Sequence, residues 1–181
     1  MIVGHGARAL IERGFQETGD PIEHDRLNDL VARFIDYYAA HIADASAPFP
    51  GTIEMLDSLA AGGARLAILT NKYEALTLQL LRTLELEQRF ATIVGADTLA
   101  TRKPDAQSFI ETVRRAGGTL RRSLMVGDSP TDVATARAAK VPIVAVTFGY
   151  TPVPPIEFGA DALVERFDQL EAVLGGLLPD A

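Results

Sequence analysis

The sequence predicts an α/β fold, a parallel sheet flanked by helices with a small helical unit ahead of it, and three observations carry that expectation. Short apolar runs near 65–69, 92–95, 124–126 and 143–146 alternate with longer amphipathic stretches, the pattern of βαβ units. The first 47 residues show helical periodicity and no strand pattern. Between these regions, Ser46-Ala47-Pro48-Phe49-Pro50-Gly51 interrupts any helix and forms a hinge. The division is therefore residues 1–47 as a helical unit and 48–181 as the α/β core. Right-handed crossovers would leave the carboxyl ends of all strands on one rim.

Each element follows from a local pattern. Ala7 to Phe15 is a short helix, and Gly19-Asp20-Pro21 breaks the chain after it. Leu27, Leu30, Val31, Phe34, Ile35, Tyr38 and Ile42 recur at spacings of three and four, a long amphipathic helix that must pack on something else. Thr52 is placed to cap a helix whose buried side carries Met55, Leu56 and Leu59 and which ends at Gly62-Gly63. The strand Arg65 to Leu69 runs into Thr70-Asn71-Lys72, a helix spans about Glu74 to Leu84, and a strand follows at Thr92 to Gly95. A helix from Ala106 to Ala116, a strand before Asp128, a helix to Ala139 and a strand Ile143 to Val146 come next. Ala162 to Val164 is a short edge strand, and Asp168 to Leu178 a final helix.

Composition narrows the function classes. The chain has 181 residues, 48% hydrophobic and 23% charged, the proportions of an ordinary globular protein. A formal net charge of -7 argues against a broad nucleic-acid or anionic-membrane footprint. An anionic ligand would need a local cluster of cations. With no cysteine there is no disulfide, thiolate metal site or thiol nucleophile. No run reaches the length of a membrane span, and the start lacks the regions of a signal peptide, so a cytoplasmic protein is expected.

Three sets of polar residues fall at or just beyond predicted strand ends. Thr70-Asn71 offers a hydroxyl and backbone N–H groups, Lys103 an ammonium, and Asp128 and Asp132 two carboxylates. The carboxylates suit a hard cation such as Mg²⁺. A cation, a fixed ammonium and hydrogen-bond donors are what a transferring phosphoryl group needs. Each has a plainer reading. Thr70 and Asn71 serve as turn residues, Lys103 as a solvated lysine, and Asp105 as the N-cap of the next helix. Ser129, Pro130 and Asp132 read as N-cap, first helical residue and capping box. Asp128 lies outside that cap.

In this order the residues resemble the haloacid dehalogenase-like superfamily, specifically its phosphoglycolate phosphatase-like members with a helical cap. Ile68-Leu69-Thr70-Asn71-Lys72 is similar to the family's second motif, Lys103-Pro104 to its third, and Gly127-Asp128-Ser129-Pro130-Thr131-Asp132 to its fourth. Pro48-Phe49-Pro50-Gly51-Thr52 resembles the re-entry from cap to core. The resemblance implies a Rossmann-like core, Mg²⁺ as cofactor, and a small phosphorylated metabolite as partner. It implies hydrolysis of 2-phosphoglycolate to glycolate and phosphate. Thr70 and Asn71 would bind phosphate, Lys103 would steady phosphate and nucleophile, Asp128 would ligate the metal, and Asp132 would assist or orient that site. In the cap, His5 and Arg8 would meet a substrate carboxylate.

One family feature is absent. Members begin with a central strand ending in Asp-x-Asp-Gly-Thr, whose first aspartate is the nucleophile, and no Asp-x-Asp occurs in these 181 residues. That strand normally lies between those preceding Thr70 and Asp128, so a gap in the sheet is expected there. The alternative to a hydrolase is a non-catalytic protein that keeps the phosphate and metal half of the site. A phospho-acceptor receiver domain places its residues in a different order, and neither a Gly-x-x-x-x-Gly-Lys loop nor a serine-hydrolase elbow occurs.

Overall fold

The computed structural model describes residues 7–151 and 153–178. Two helices come first, α1 (Ala7–Thr18) and α2 (His24–Ala40), packed on each other. The sequence pattern ends α1 at Phe15, but the helix continues to Thr18, where Gly19 takes a left-handed φ of 74°. Ile42, the last residue of the apolar stripe, is buried beyond the end of α2.

Helix α3 (Thr52–Ala61) begins one residue earlier than a Thr52 cap would allow. Gly51, with φ 79°, is the N-cap, and the Thr52 hydroxyl donates backward to the Phe49 carbonyl at 2.7 Å. An aromatic group fixes this re-entry: Phe49 lies edge-on to Phe148 at 5.0 Å between centroids, and Phe148 likewise to Phe167 at 4.9 Å.

The strands form two parallel sheets. In one, β1 (Ala67–Leu69) pairs with β2 (Thr92–Val94). In the other the order is β3 (Met125–Gly127), β4 (Ile143–Val146), β5 (Ala162–Val164). Crossovers run through α4 (Glu74–Thr83) between β1 and β2, α5 (Ala106–Arg115) between β2 and β3, and α6 (Pro130–Ala139) between β3 and β4; α7 (Leu170–Leu177) follows β5. Strand β1 is shorter than its apolar run, although the Leu66 carbonyl still accepts from the Ala91 N–H at 2.8 Å, and the Arg65 guanidinium donates to the Ala116 carbonyl at 3.1 Å. Between β5 and α6, Arg137 donates to Asp161 at 3.0 Å and holds that carboxyl below the ordinary aspartate range, against the effect of burial.

Three apolar clusters cover the sheets. Phe109 of α5 and Val133, Ala136 and Ala139 of α6 pack with Met125 and Ile143, and Leu69 of β1 joins them. On the opposite face Val144, Val146, Val164 and Leu170 pack with Met55 and Leu59 of α3. Leu56 and Met55 of the same helix also pack beside Ile68. Helix α3 thus spans both sheets on one face, and α5 touches β1, β2 and α6 on the other.

Between β1 and β3 there is no ladder. Alternate residues of a parallel strand address its two sides. Thr70 N–H bonds to Val94 and Met125 N–H to Pro142, so the peptide groups of Ala67 and Leu69 on one side, and of Val126 on the other, face the space between the sheets. Val126 is 39% exposed, whereas all of β4 is buried. The two sheets therefore bound a slot with unpaired parallel edges, at the position where the sequence resemblance expects a strand. Among the described residues no helix is long and apolar enough to cross a membrane.

Backbone hydrogen exchange measures this edge directly. The amides of Leu69 and Val126 are expected to exchange at least about tenfold faster than those of Ile68 and Met125, their in-ladder neighbours. Equal protection would mean that the slot is closed.

Candidate active site

The β1 strand ends in a tight turn. Thr70 Oγ1 accepts from the Lys72 N–H at 3.1 Å, which leaves the hydroxyl hydrogen available to a ligand. The Asn71 amide nitrogen donates to the Lys103 carbonyl at 3.2 Å. This bond joins the turn after β1 to the loop before α5. The Lys103–Pro104 peptide is cis.

Lys103 then reaches across to the N-terminus of α6. Its ammonium donates to Asp132 Oδ1 at 2.6 Å, with side-chain exposures of 13% and 5%. The other oxygen of Asp132 accepts from the Asp128 N–H and Ser129 N–H, each at 3.1 Å, and from the Ser129 hydroxyl at 2.7 Å. Both carboxylate oxygens are engaged, and Ser129 with Asp132 forms the capping box the sequence anticipates. Asp105 also caps α5 as read from the sequence, accepting from the Gln107 N–H at 2.7 Å. Gly127 is required by this packing, because a Cβ there would lie 2.5 Å from Asp132 Cβ and Cγ. A cleft of about 470 Å³ lies beside these groups, lined by Asn71, Arg102, Lys103, Pro104, Pro130 and Thr131.

Asp128 sits at the carboxyl end of β3. Its Oδ2 accepts from the Tyr150 N–H at 3.2 Å, and its Oδ1 accepts no hydrogen bond among the described residues. The loop after β4 comes so close that a Cβ on Gly149 would overlap the Asp128 side chain. Gly149 and Tyr150 contact the candidate residue Asp128, a contact that sequence reading missed. A backbone donor leaves no side-chain signature, and the glycine beside it was the available signal.

Thr70, Asn71, Lys103, Asp128 and Asp132 therefore converge on one rim, linked through side-chain and backbone hydrogen bonds on either side of the slot. A hard cation fits this donor set in part. Asp128 has a carboxylate oxygen that accepts no hydrogen bond among the described residues, whereas both oxygens of Asp132 already accept, and no cluster of three or more acidic, cysteine or histidine residues suited to a metal occurs among the described residues. Arg8 is not drawn into the group. It pairs with Asn28 and lies 3.8 Å from Glu12. His5 lies outside the described residues. The contact between core and helical pair runs instead through Lys72, whose ammonium donates to the Tyr38 hydroxyl at 2.5 Å, and through Gln79, which donates to the Ala39 carbonyl at 2.8 Å.

The buried pair makes a stability prediction. Asp132→Ala leaves the Lys103 ammonium without its partner and removes the cap, so the free energy of unfolding in urea is expected to fall by about 3–5 kcal/mol. Asp132→Asn keeps an acceptor and is expected to lose less. A change below about 1 kcal/mol in the alanine variant would show that the pair does not organise the site.

Comparison with known proteins bears on the same rim. Residues 6–146 match the family model described as haloacid dehalogenase-like hydrolase. A phosphoglycolate phosphatase of Mesorhizobium japonicum is 49% identical over 175 residues, covering 95% of this chain and 76% of that protein. The phosphoglycolate phosphatase of Agrobacterium fabrum is 44% identical, covering 96% of this chain and 74% of its own. The fold matches the crystal structure of a predicted phosphoglycolate phosphatase from Haemophilus somnus with a TM-score of 0.87 at 23% identity, over 94% of this chain and 78% of that one. The chain belongs to the haloacid dehalogenase-like hydrolases, among relatives of the phosphoglycolate phosphatase type.

Proposed function

We propose that this chain forms the phosphate-binding and Mg²⁺-binding part of a phosphomonoester hydrolase that converts 2-phosphoglycolate to glycolate and phosphate. The observation that carries this reading is the hydrogen-bonded series from Asn71 through Lys103 and Asp132 to the Asp128 N–H, which joins the ends of β1 and β3 on one rim. Relatives named phosphoglycolate phosphatase, at 49% and 44% identity, support the substrate. Residues 1–47 act as the cap and 48–181 as the core, consistent with the Tyr38–Lys72 and Ala39–Gln79 contacts between α2 and the β1–α4 region. A cytoplasmic setting accords with the absence of cysteine.

The residues divide the work by what each has free. Thr70 donates its hydroxyl hydrogen and Asn71 its backbone N–H to phosphoryl oxygens. Lys103 spends one ammonium hydrogen on Asp132 and turns the others toward the phosphate and the attacking group. Asp132 acts through Lys103 and through the Asp128 N–H, as a positioning residue. Asp128 offers Oδ1 to Mg²⁺ while Tyr150 fixes Oδ2. Bound Mg²⁺ would supply neutralisation of charge on the phosphoryl oxygens. The attacking carboxylate enters on a strand that fills the slot, since neither Asp128 nor Asp132 is free to attack.

A second reading, a phosphate-binding and metal-binding protein without turnover, is favoured by the lack of any Asp-x-Asp in the sequence. One assay separates the two. Phosphate release from 2-phosphoglycolate with Mg²⁺ is expected to be absent with the 181-residue chain and to appear when an apolar strand ending in Asp-x-Asp-Gly-Thr is fused ahead of it. In that fusion Lys103→Met is expected to cost about 10²–10³ in kcat, and Asp128→Asn to abolish Mg²⁺ dependence. Turnover by the unextended chain that Asp128→Asn removes would overturn the slot account, and binding without turnover in the fusion would favour the second reading.

A further inference from the structure

Lys72 is a half-buried cation whose ammonium meets no carboxylate among the described residues. Its backbone is held on both sides: the N–H donates to Thr70 Oγ1 at 3.1 Å and the carbonyl accepts from the Ala96 N–H at 2.9 Å. From this fixed base the ammonium extends to helix α2. There it donates to the Tyr38 hydroxyl at 2.5 Å and lies 4.9 Å from the Tyr38 ring centroid. The Tyr38 ring is itself stacked on Phe34, with an interplanar angle of 4°.

A neutral phenol is a weak partner for a partly desolvated ammonium, and it fills one of three donor positions. Elsewhere the chain pairs cations directly with carboxylates, as in Arg82–Glu87, Arg89–Asp57, Lys103–Asp132 and Arg137–Asp161. In a protein of net charge -7, an ammonium held without a carboxylate among the described residues, two residues beyond Thr70, is suited to receive an anion. The Tyr38 hydroxyl accepts from Lys72 and keeps its own hydrogen, so the pair presents two kinds of donor to one acceptor group.

We infer that Lys72 and Tyr38 recognise a second anionic group of the ligand, a carboxylate held close to the phosphoryl group, and so select phosphorylated short hydroxy acids over phosphate esters of neutral alcohols. This rests on the reading of Thr70 and Lys103 as the phosphate site. The carboxylate displaces the ammonium from sole dependence on the phenol and is shared between core and cap. Specificity thus resides at the contact between α2 and the β1–α4 turn, where the two units meet.

Titration calorimetry on the 181-residue protein with Mg²⁺ tests this, using inorganic phosphate, ethyl phosphate and 2-phosphoglycolate. The unsubstituted chain is expected to bind 2-phosphoglycolate at least about tenfold more tightly than ethyl phosphate, the preference of one charge-assisted contact. Lys72→Met is expected to erase that preference while ethyl phosphate binding stays within about twofold, and Lys72→Arg to restore most of it. Tyr38→Phe, which keeps the ring and removes the hydroxyl, is expected to reduce the preference by about threefold. If phosphate and ethyl phosphate bind but 2-phosphoglycolate gains nothing, this inference falls and the phosphate site stands. If Lys72→Met weakens all ligands equally, Lys72 is a latch between α2 and the core, and the inference falls. If no phosphate compound binds, both readings fall.

Discussion

Taking an ammonium and a carboxylate out of water costs several kcal/mol for each ion unless they find each other and fill their remaining hydrogen bonds. Lys103 and Asp132 meet that condition, and the geometry of the rim depends on it. Asp132 Oδ1 takes the ammonium, while Oδ2 gathers the N–H groups of Asp128 and Ser129 and the Ser129 hydroxyl. One side chain thereby fixes the start of α6, the backbone of Asp128 and the ammonium of Lys103. Through its own carbonyl, Lys103 also holds Asn71. Three segments far apart in the chain, around residues 71, 103 and 128–132, are joined through a single buried pair.

The constraint shapes the sheet as well as the chemistry. Helices α3 and α5 hold β1–β2 and β3–β4–β5 in one layered arrangement although no ladder joins the two sets. An open pair of parallel edges inside a helix-covered layer is unusual, because unpaired strand edges invite association with another chain. Here the slot lies between the turn that carries Thr70 and Asn71 and the strand end that carries Asp128. A strand in that slot would complete the sheet and deliver a carboxylate to the centre of the site, so structural completion and catalytic completion are the same event.

Much of this was legible in the sequence. Strand β4 has the boundaries its sequence marks, because Ile143, Val144, Ala145 and Val146 are all apolar and all buried, as a strand covered on both faces must be. The capping box and the Asp105 cap were legible because Asp and Ser at a helix start have few other uses. What was not legible depended on partners distant in sequence or on the backbone. Arg65 looks like part of a strand, and the bond from its guanidinium to the Ala116 carbonyl, 51 residues on, has no local signal. Thr52 looks like a cap until Gly51, in a left-handed conformation, takes that position. Asp132 reads as ligand or cap, and only the structure shows that four hydrogen-bond donors converge on it, one on Oδ1 and three on Oδ2. The Tyr150 N–H that orients Asp128 and the Tyr38 hydroxyl that meets Lys72 carry no motif at all.

Thr70, Asn71, Lys103 and Asp128 are proposed to form one anion and cation site on this rim. The most direct measurement is a two-dimensional amide NMR titration of the labelled chain with inorganic phosphate in the presence and absence of Mg²⁺. The account predicts saturable shifts confined to residues 70–72, 102–104 and 127–132, with Mg²⁺ required for those around Asp128. Shifts centred instead on Arg137 and Lys140, near the opposite end of the strands, or no saturable shift at all, would contradict it.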